Sequence, residues 1–166
     1  MKTLYMISGT MGVGKTSVCQ QLKKSLPKSV FLDGDWCWDA DPFQVTEETK
    51  KMVEDNICYL LNNFLHCPAY ENVIFCWVMH RQSIIDSLLK RLDLSQCEIQ
   101  NISLLANEKS LRERLGGDVS KGVRSVEVID RSIARIPMYD DLDTIKIFTD
   151  GKTIQMIADE IEKLSF

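Results

Sequence analysis

Gly9-Thr10-Met11-Gly12-Val13-Gly14-Lys15-Thr16 follows the pattern G-x-x-x-x-G-K-[ST] in full, between an apolar strand-like run and a stretch of helical period. The order of residue types describes a phosphate cradle. Glycines let successive backbone N–H groups turn inward around an anion, and the positive N-terminal end of the following helix adds to the same field. A lysine at the seventh position reaches the β- and γ-phosphates as a compact point charge, and a threonine hydroxyl at the eighth ligates Mg²⁺. The octet points to a nucleoside triphosphate. Its binding residues are Gly9, Met11, Gly12, Val13, Gly14, Lys15, Thr16 and Ser17, with Lys15 also a catalytic candidate and Thr16 a metal ligand.

These residues need a scaffold, and the rest of the chain carries the pattern for one. Apolar runs of strand length alternate with stretches of helical period, which predicts an α/β fold with a parallel sheet covered on both faces. Strands are expected at Leu4–Ser8, Val30–Leu32, Val73–Val78, Ile99–Ala106 and Thr144–Thr149. Val18, Cys19, Leu22 and Leu26 mark one face of a helix that begins near Lys15 and stops at Pro27. Thr46 is the N-cap of a long helix with Glu47 and Glu48 in its first turn and an apolar stripe from Val53 to Leu65. Further helices are expected through Ile84 to Leu92, from an Asn107 cap through Leu115, from a Ser125 cap up to Pro137, and through Ile154 to Leu164. Gly116 to Arg124 holds three glycines and no helical apolar period, so it reads as a mobile loop.

Composition narrows the function classes. A chain of 166 residues with 45% apolar and 27% charged residues is one soluble globular domain. With 24 acidic against 20 basic residues it lacks the basic face of a general nucleic-acid binder, so phosphate binding must be local. Six cysteines without a C-x-x-C pair give no metal cluster and no disulfide framework. No apolar run reaches bilayer-spanning length. Met1-Lys2 lead directly into the strand that feeds the octet, leaving no room for a removable signal peptide. A reduced, cytoplasmic protein without nucleic-acid or membrane partners is the expectation.

With the octet, the Asp33-Gly34-Asp35 turn after the second strand and an arginine-bearing loop in hand, the chain resembles the small P-loop kinases typified by shikimate, gluconate and adenylylsulfate kinases. The resemblance implies a three-layer α/β/α sandwich on a five-stranded parallel sheet of order 2-3-1-4-5, the fold of the P-loop nucleoside triphosphate hydrolases. It also implies a single domain over residues 1–166 with a lid over about 112–135. Phe31-Leu32-Asp33-Gly34-Asp35 looks like that group's segment of the same form, which implies that Asp33 orients Mg²⁺ and Asp35 approaches the acceptor hydroxyl. Asp39 and Asp41, further from the strand end, are alternatives in either role. Arg114 and Arg124 are the lid arginines that place guanidinium donors on the γ-phosphate. Arg135 follows Arg124 by eleven residues, a spacing similar to a catalytic arginine pair in the adenylate kinases, and joins the substrate-binding set. Arg112 and Arg131 read as solvated helix charges, and Lys121 as a lid residue without an assigned role. Asp150-Gly151-Lys152 resembles the loop against which adenine lies, although a plain strand-to-helix turn has the same form. The third strand ends Ile74-Phe75-Cys76-Trp77-Val78-Met79-His80-Arg81 without a carboxylate, so the metal duty falls on Thr16 and Asp33.

Trp36, Trp38 and Trp77 cluster after the second and third strands, suggesting an acceptor with a ring or apolar body, with core filling as the alternative for Trp77. His80 either contacts the acceptor or satisfies backbone groups. The reading that absorbs most of these residues is an ATP- and Mg²⁺-dependent kinase acting on a small-molecule hydroxyl acceptor, monomeric or homodimeric. Two other readings remain: a nucleoside monophosphate kinase, and an ATPase or switch module acting on a protein partner.

Overall fold

The computed structural model describes residues 1–164. At its centre is β1 (Lys2–Ser8), whose Leu4 and Met6 join one core and whose Tyr5 and Ile7 join another. All four are buried, and a strand with four successive apolar residues must carry a layer on each face. Beside it β2 (Ser29–Asp33), β3 (Asn72–Trp77), β4 (Cys97–Leu105) and β5 (Ile145–Phe148) complete a five-stranded sheet in the order β2-β3-β1-β4-β5, parallel throughout. This is the expected order. The register sets Ser8 beside Trp77 and Ser103, and Asp33 beside Cys76, so the chemistry-bearing strand ends share one edge. Ser8 and Ser103 are buried there, and their hydroxyl oxygens lie 2.8 Å apart, which satisfies both.

Six helices flank the sheet: α1 (Lys15–Ser25), α2 (Glu47–His66), α3 (Gln82–Leu89), α4 (Glu108–Ser120), α5 (Glu127–Arg135) and α6 (Ile154–Glu162). α2 and α3 bring Val53, Ile57, Leu61, Ile85 and Leu88 onto Leu4, Met6, Val73 and Phe75. On the other face, Val18 and Leu22 of α1 with Ile157 and Ile161 of α6 cover Tyr5, Ile7, Ile74 and Cys76. The start of α2 is a capping box: Thr49 N–H donates to Thr46 Oγ1 at 3.1 Å and Thr46 N–H to Thr49 Oγ1 at 2.8 Å. Asn107 Oδ1 accepts from Ser110 N–H at 2.8 Å and starts α4.

Two expectations are corrected. The stretch from Gly116 is not loop as far as Ser120, because α4 runs straight through Gly116 and Gly117. Each glycine costs a helix about 1 kcal/mol, and buried Leu111 and Leu115 with the Asn107 cap outweigh that cost. Only residues 121–126 are irregular, turning at Gly122 with φ 73°. Ser125 does not cap α5, which starts at Glu127 with Val126 already helical; the Ser125 side chain hydrogen-bonds the Glu127 carboxylate. Pro137 follows α5 inside a 3₁₀ turn, Ile136–Tyr139. Among the described residues the six cysteines are free, and no helix is long and apolar enough to cross a membrane.

Candidate active site

The octet leaves β1 as a tight loop and enters α1 through Gly14, whose φ of 99° is the left-handed conformation glycine adopts without strain. Gly12, at φ 81°, lies against α4: a Cβ there would stand 2.8 Å from Leu115 Cγ. The loop is thus too close to α4 to carry a side chain at this point. Lys15 Nζ donates to the Gly9 and Thr10 carbonyls at 2.8 and 3.0 Å, which folds the ammonium over the cradle. Burial lowers the Lys15 pKa, with Cys76, Asp35 and Asp33 pulling the other way. Ser17 is exposed in the first turn of α1, and Val13 is buried at 2% exposure, anchoring the loop to the core. The oxygen donors needed for Mg²⁺ are adjacent: Thr16 Oγ1 donates to Asp33 Oδ2 at 2.7 Å. A hydroxyl and a carboxylate suit a hard cation that keeps most of its waters.

Asp33 ends β2 and is buried, with its second oxygen accepting from Asp35 N–H at 3.0 Å. That bond caps the 3₁₀ turn Gly34–Cys37 and sets Asp35 beyond the strand end. Gly34 between the two acids has a packing reason, since a Cβ would meet Trp77 Cγ at 2.6 Å. Burial raises the Asp35 pKa and the Asp33 charge raises it further; Lys15, a hydrogen bond from Trp77 and Arg124 act the other way. Lys15, Asp33, Asp35 and Arg124 therefore form one electrostatic group. Trp77, at the end of β3, is thus the aromatic neighbour of the Asp35 carboxylate.

Arg114 and Arg124 meet the octet. Arg114 Nη1 donates to the Val13 and Gly12 carbonyls at 3.2 and 3.4 Å. Arg124 Nη1 lies 3.4 Å from Met11 Sδ while its Nε donates to Asp118 at 3.0 Å. Arg112 is an exposed helix charge paired with Glu108 at 2.8 Å. Trp36 packs edge-on against Phe31 and is 54% exposed, whereas Trp38 packs edge-on against both Trp77 and Phe43.

The remaining candidates lie outside that group. Burial lowers the Arg135 pKa, Arg131 and Arg81 lower it further and Tyr139 acts the other way, so Arg135 belongs to a second cluster. His80 lies in the same cluster, its pKa lowered by burial and by Arg135 and Arg81, and its Nδ1 is buried without a partner. Asp150 follows β5, where its Oδ2 accepts from Asn107 N–H at 3.0 Å and its Oδ1 is buried without a partner. Gly151 turns at φ 72°, and Lys152 is engaged by Glu160. Residues that the sequence reading did not single out include Tyr139, fully buried with an unpaired hydroxyl, and the thiols of Cys19 and Cys76, which hydrogen-bond beneath Lys15. Phe43 and Met52 were also missed; an aromatic in a proline-containing polar segment was the available signal for Phe43.

Known structures of similar fold include a tunicamycin resistance protein from Deinococcus radiodurans, with TM-score 0.72 at 19% identity over 100% of this chain and 97% of that one. A gluconokinase from Sinorhizobium meliloti superposes with TM-score 0.68 at 16% identity over 98% and 93% of the two chains. A shikimate kinase from Acinetobacter baumannii, in complex with shikimate, gives TM-score 0.63 at 18% identity over 99% and 92%. At these identities the likeness is one of fold. No curated protein sequence matches. The AAA domain family matches residues 6–133, which hold the octet, the Asp33–Asp35 turn, Arg114 and Arg124, and so the chain belongs to the AAA domain family of P-loop proteins.

Proposed function

We propose that this protein is an ATP-dependent kinase that passes the γ-phosphate of Mg-ATP to a hydroxyl of a small molecule. The observation that carries the reading is Asp35: a carboxylate of raised pKa, held by Trp77 at the mouth of the phosphate cradle and in one charged group with Lys15 and Arg124. The kinases among the similar structures support it as precedents for the fold. Phosphoryl transfer asks a protein mainly for alignment and charge neutralisation. Backbone N–H groups of Gly12 to Thr16 bind the phosphates, and Lys15 neutralises them. Thr16 and Asp33 are the residues that hold Mg²⁺, which when bound offsets charge on the phosphate oxygens. Asp35 accepts the hydroxyl proton, and its raised pKa makes it a better base than an ordinary carboxylate. Arg124 and Arg114 supply donors for charge that builds on the transferred group. Asp150, Gly151 and Lys152 form the adenine edge, while Trp36, Trp38, His80 and Arg135 contact the acceptor. Six free thiols suit a reducing compartment, so we assign the protein to the cytoplasm, as a monomer or homodimer.

The test is ADP release from Mg-ATP with a panel of hydroxyl compounds. One or more should give acceptor-dependent ADP, and Asp35→Asn should lower that rate by roughly 10²–10⁴-fold while calorimetry shows retained Mg-ATP affinity. Undiminished turnover in the variant removes Asp35 from the mechanism.

A further inference from the structure

A cavity of about 450 Å³, whose lining starts at Trp36, next in the chain to the candidate base, falls within the range of roughly 300–1,000 Å³ typical of small-molecule sites. One wall is the strap after β2, with Trp36, Trp38 and Phe43; the other is the first half of α2, where Thr49, Met52 and Asn56 recur at helical spacing. Two of its polar side chains, on α2, are already engaged. Asn56 Nδ2 donates to the Cys37 carbonyl at 2.9 Å, and Thr49 belongs to the capping box and also donates to the Gln44 carbonyl at 3.0 Å. Large apolar surface is left open instead: Trp36 is 54%, Phe43 57% and Met52 44% exposed. Apolar area left in water forgoes about 25 cal/mol per Å², and here it is gathered around one concavity.

The aromatic wall is continuous with the candidate base. Phe43 and Trp38 ring centres are 4.9 Å apart at 77°, Trp38 and Trp77 are 6.1 Å apart at 74°, and Trp77 hydrogen-bonds the Asp35 carboxylate. Edge-to-face contacts of this kind fix ring orientation. A molecule whose body lies on Trp38 therefore sits one indole away from the carboxylate. Asp39 stands at the rim, and a negatively charged body would meet it unfavourably.

From this we infer that the acceptor is a hydroxyl compound with an uncharged aromatic or aliphatic body, which fills the Trp38–Phe43–Met52 cavity while its hydroxyl faces Asp35. The inference rests on the kinase reading and names the substrate class of the same site. It sets aside bare polyols and small sugar acids as the preferred acceptor.

The experiment is an NMR titration of the full chain labelled at the indole nitrogens, with 2-naphthylethanol as aromatic probe and sorbitol as polyol control. The three indole N–H signals report separately on Trp36, Trp38 and Trp77. The naphthyl alcohol should shift the Trp38 signal saturably and sorbitol should not. Met52→Lys, which puts an ammonium on the cavity wall from an exposed helix position, should weaken that binding by roughly tenfold or more without changing Mg-ATP affinity. A second variant, Phe43→Ser, guards against a local effect of the lysine and should act in the same direction. No saturable shift, or equal binding in both variants, overturns the cavity assignment. So does acceptor-dependent ADP formation confined to polyols, or a homodimer that Met52→Lys dissociates, which would make the face a contact between copies. Saturable, variant-sensitive binding with no ADP from any alcohol upholds the cavity and counts against the kinase reading alone.

Discussion

On the nucleotide side of the cleft every charged candidate is engaged: Lys15 on the Gly9 and Thr10 carbonyls, Thr16 on Asp33, Arg114 on the Val13 carbonyl and Arg124 on Asp118. In the second cluster and along the strap after β2 the opposite holds. The Tyr139 hydroxyl and His80 Nδ1 are buried without partners, Arg135 has Arg131 and Arg81 as charged neighbours, and Trp36 and Phe43 expose more than half of their surface. The contrast has a physical meaning. A buried polar group without a partner costs about 1–3 kcal/mol, and Asp150 Oδ1 adds one more beside the start of α4. The cradle is built from groups that satisfy one another, while the second cluster and the strap carry the unpaired and the exposed ones.

The sharpest way to break this comparison is Lys15→Ala, because the prebuilt half depends on one cation. Transfer should fall on the order of 10²–10³-fold, with Mg-ATP affinity reduced in calorimetry. A loss below tenfold would show that the cradle does not rely on it. A medium effect concerns pH. Asp35 has its pKa raised by burial and by Asp33, and the kinase reading uses its ionised form, so turnover should decline as pH falls through a value above that of an ordinary aspartate. In Asp33→Asn the like charge is gone, and the Asp35 carboxyl ¹³C signal should titrate at lower pH than in the parent. The sign for stability is the reverse of the usual carboxylate case. The folded state binds this proton more tightly than the unfolded chain, so stability falls as pH rises from the ordinary carboxylate value through the raised one. Asp35→Asn should flatten that fall in a series of Tm measurements.

The smallest expected effect sharpens the unpaired half. Tyr139→Phe removes the orphaned hydroxyl and keeps the ring that fills the core, so Tm should hold or rise, within about 1 kcal/mol. Mg-ATP affinity should stay constant. A clear drop in Tm would show that the hydroxyl already has a partner, and the contrast between the two halves would lose one of its supports.

How much was legible divides along the same line. The octet is local: eight consecutive residues carry the turn, the charge and the hydroxyl, so reading them in order is enough to describe the cradle. Thr46 and Asn107 were legible as caps because a cap bonds to residues three positions on. Gly116 and Gly117 misled because glycine propensity is a local quantity, while their helix is held by Leu111 and Leu115 in the core. Ser125 misled similarly, since its hydroxyl found the Glu127 side chain. Tyr139 gave no signal at all, because a lack of partners is a property of packing and not of residue type.

The residue string by itself determined the phosphate chemistry and the alternating β/α order, because both depend on neighbours close in the chain. Tertiary structure alone decided that Trp77 holds Asp35, that Arg124 meets Met11 across 113 positions while Arg135 joins another cluster, and that Trp38, Phe43 and Met52 enclose one cavity. The first contacts join segments far apart in sequence, which only the closing of the sheet brings within reach, and the cavity forms because the strap after β2 folds back on the helix that follows it.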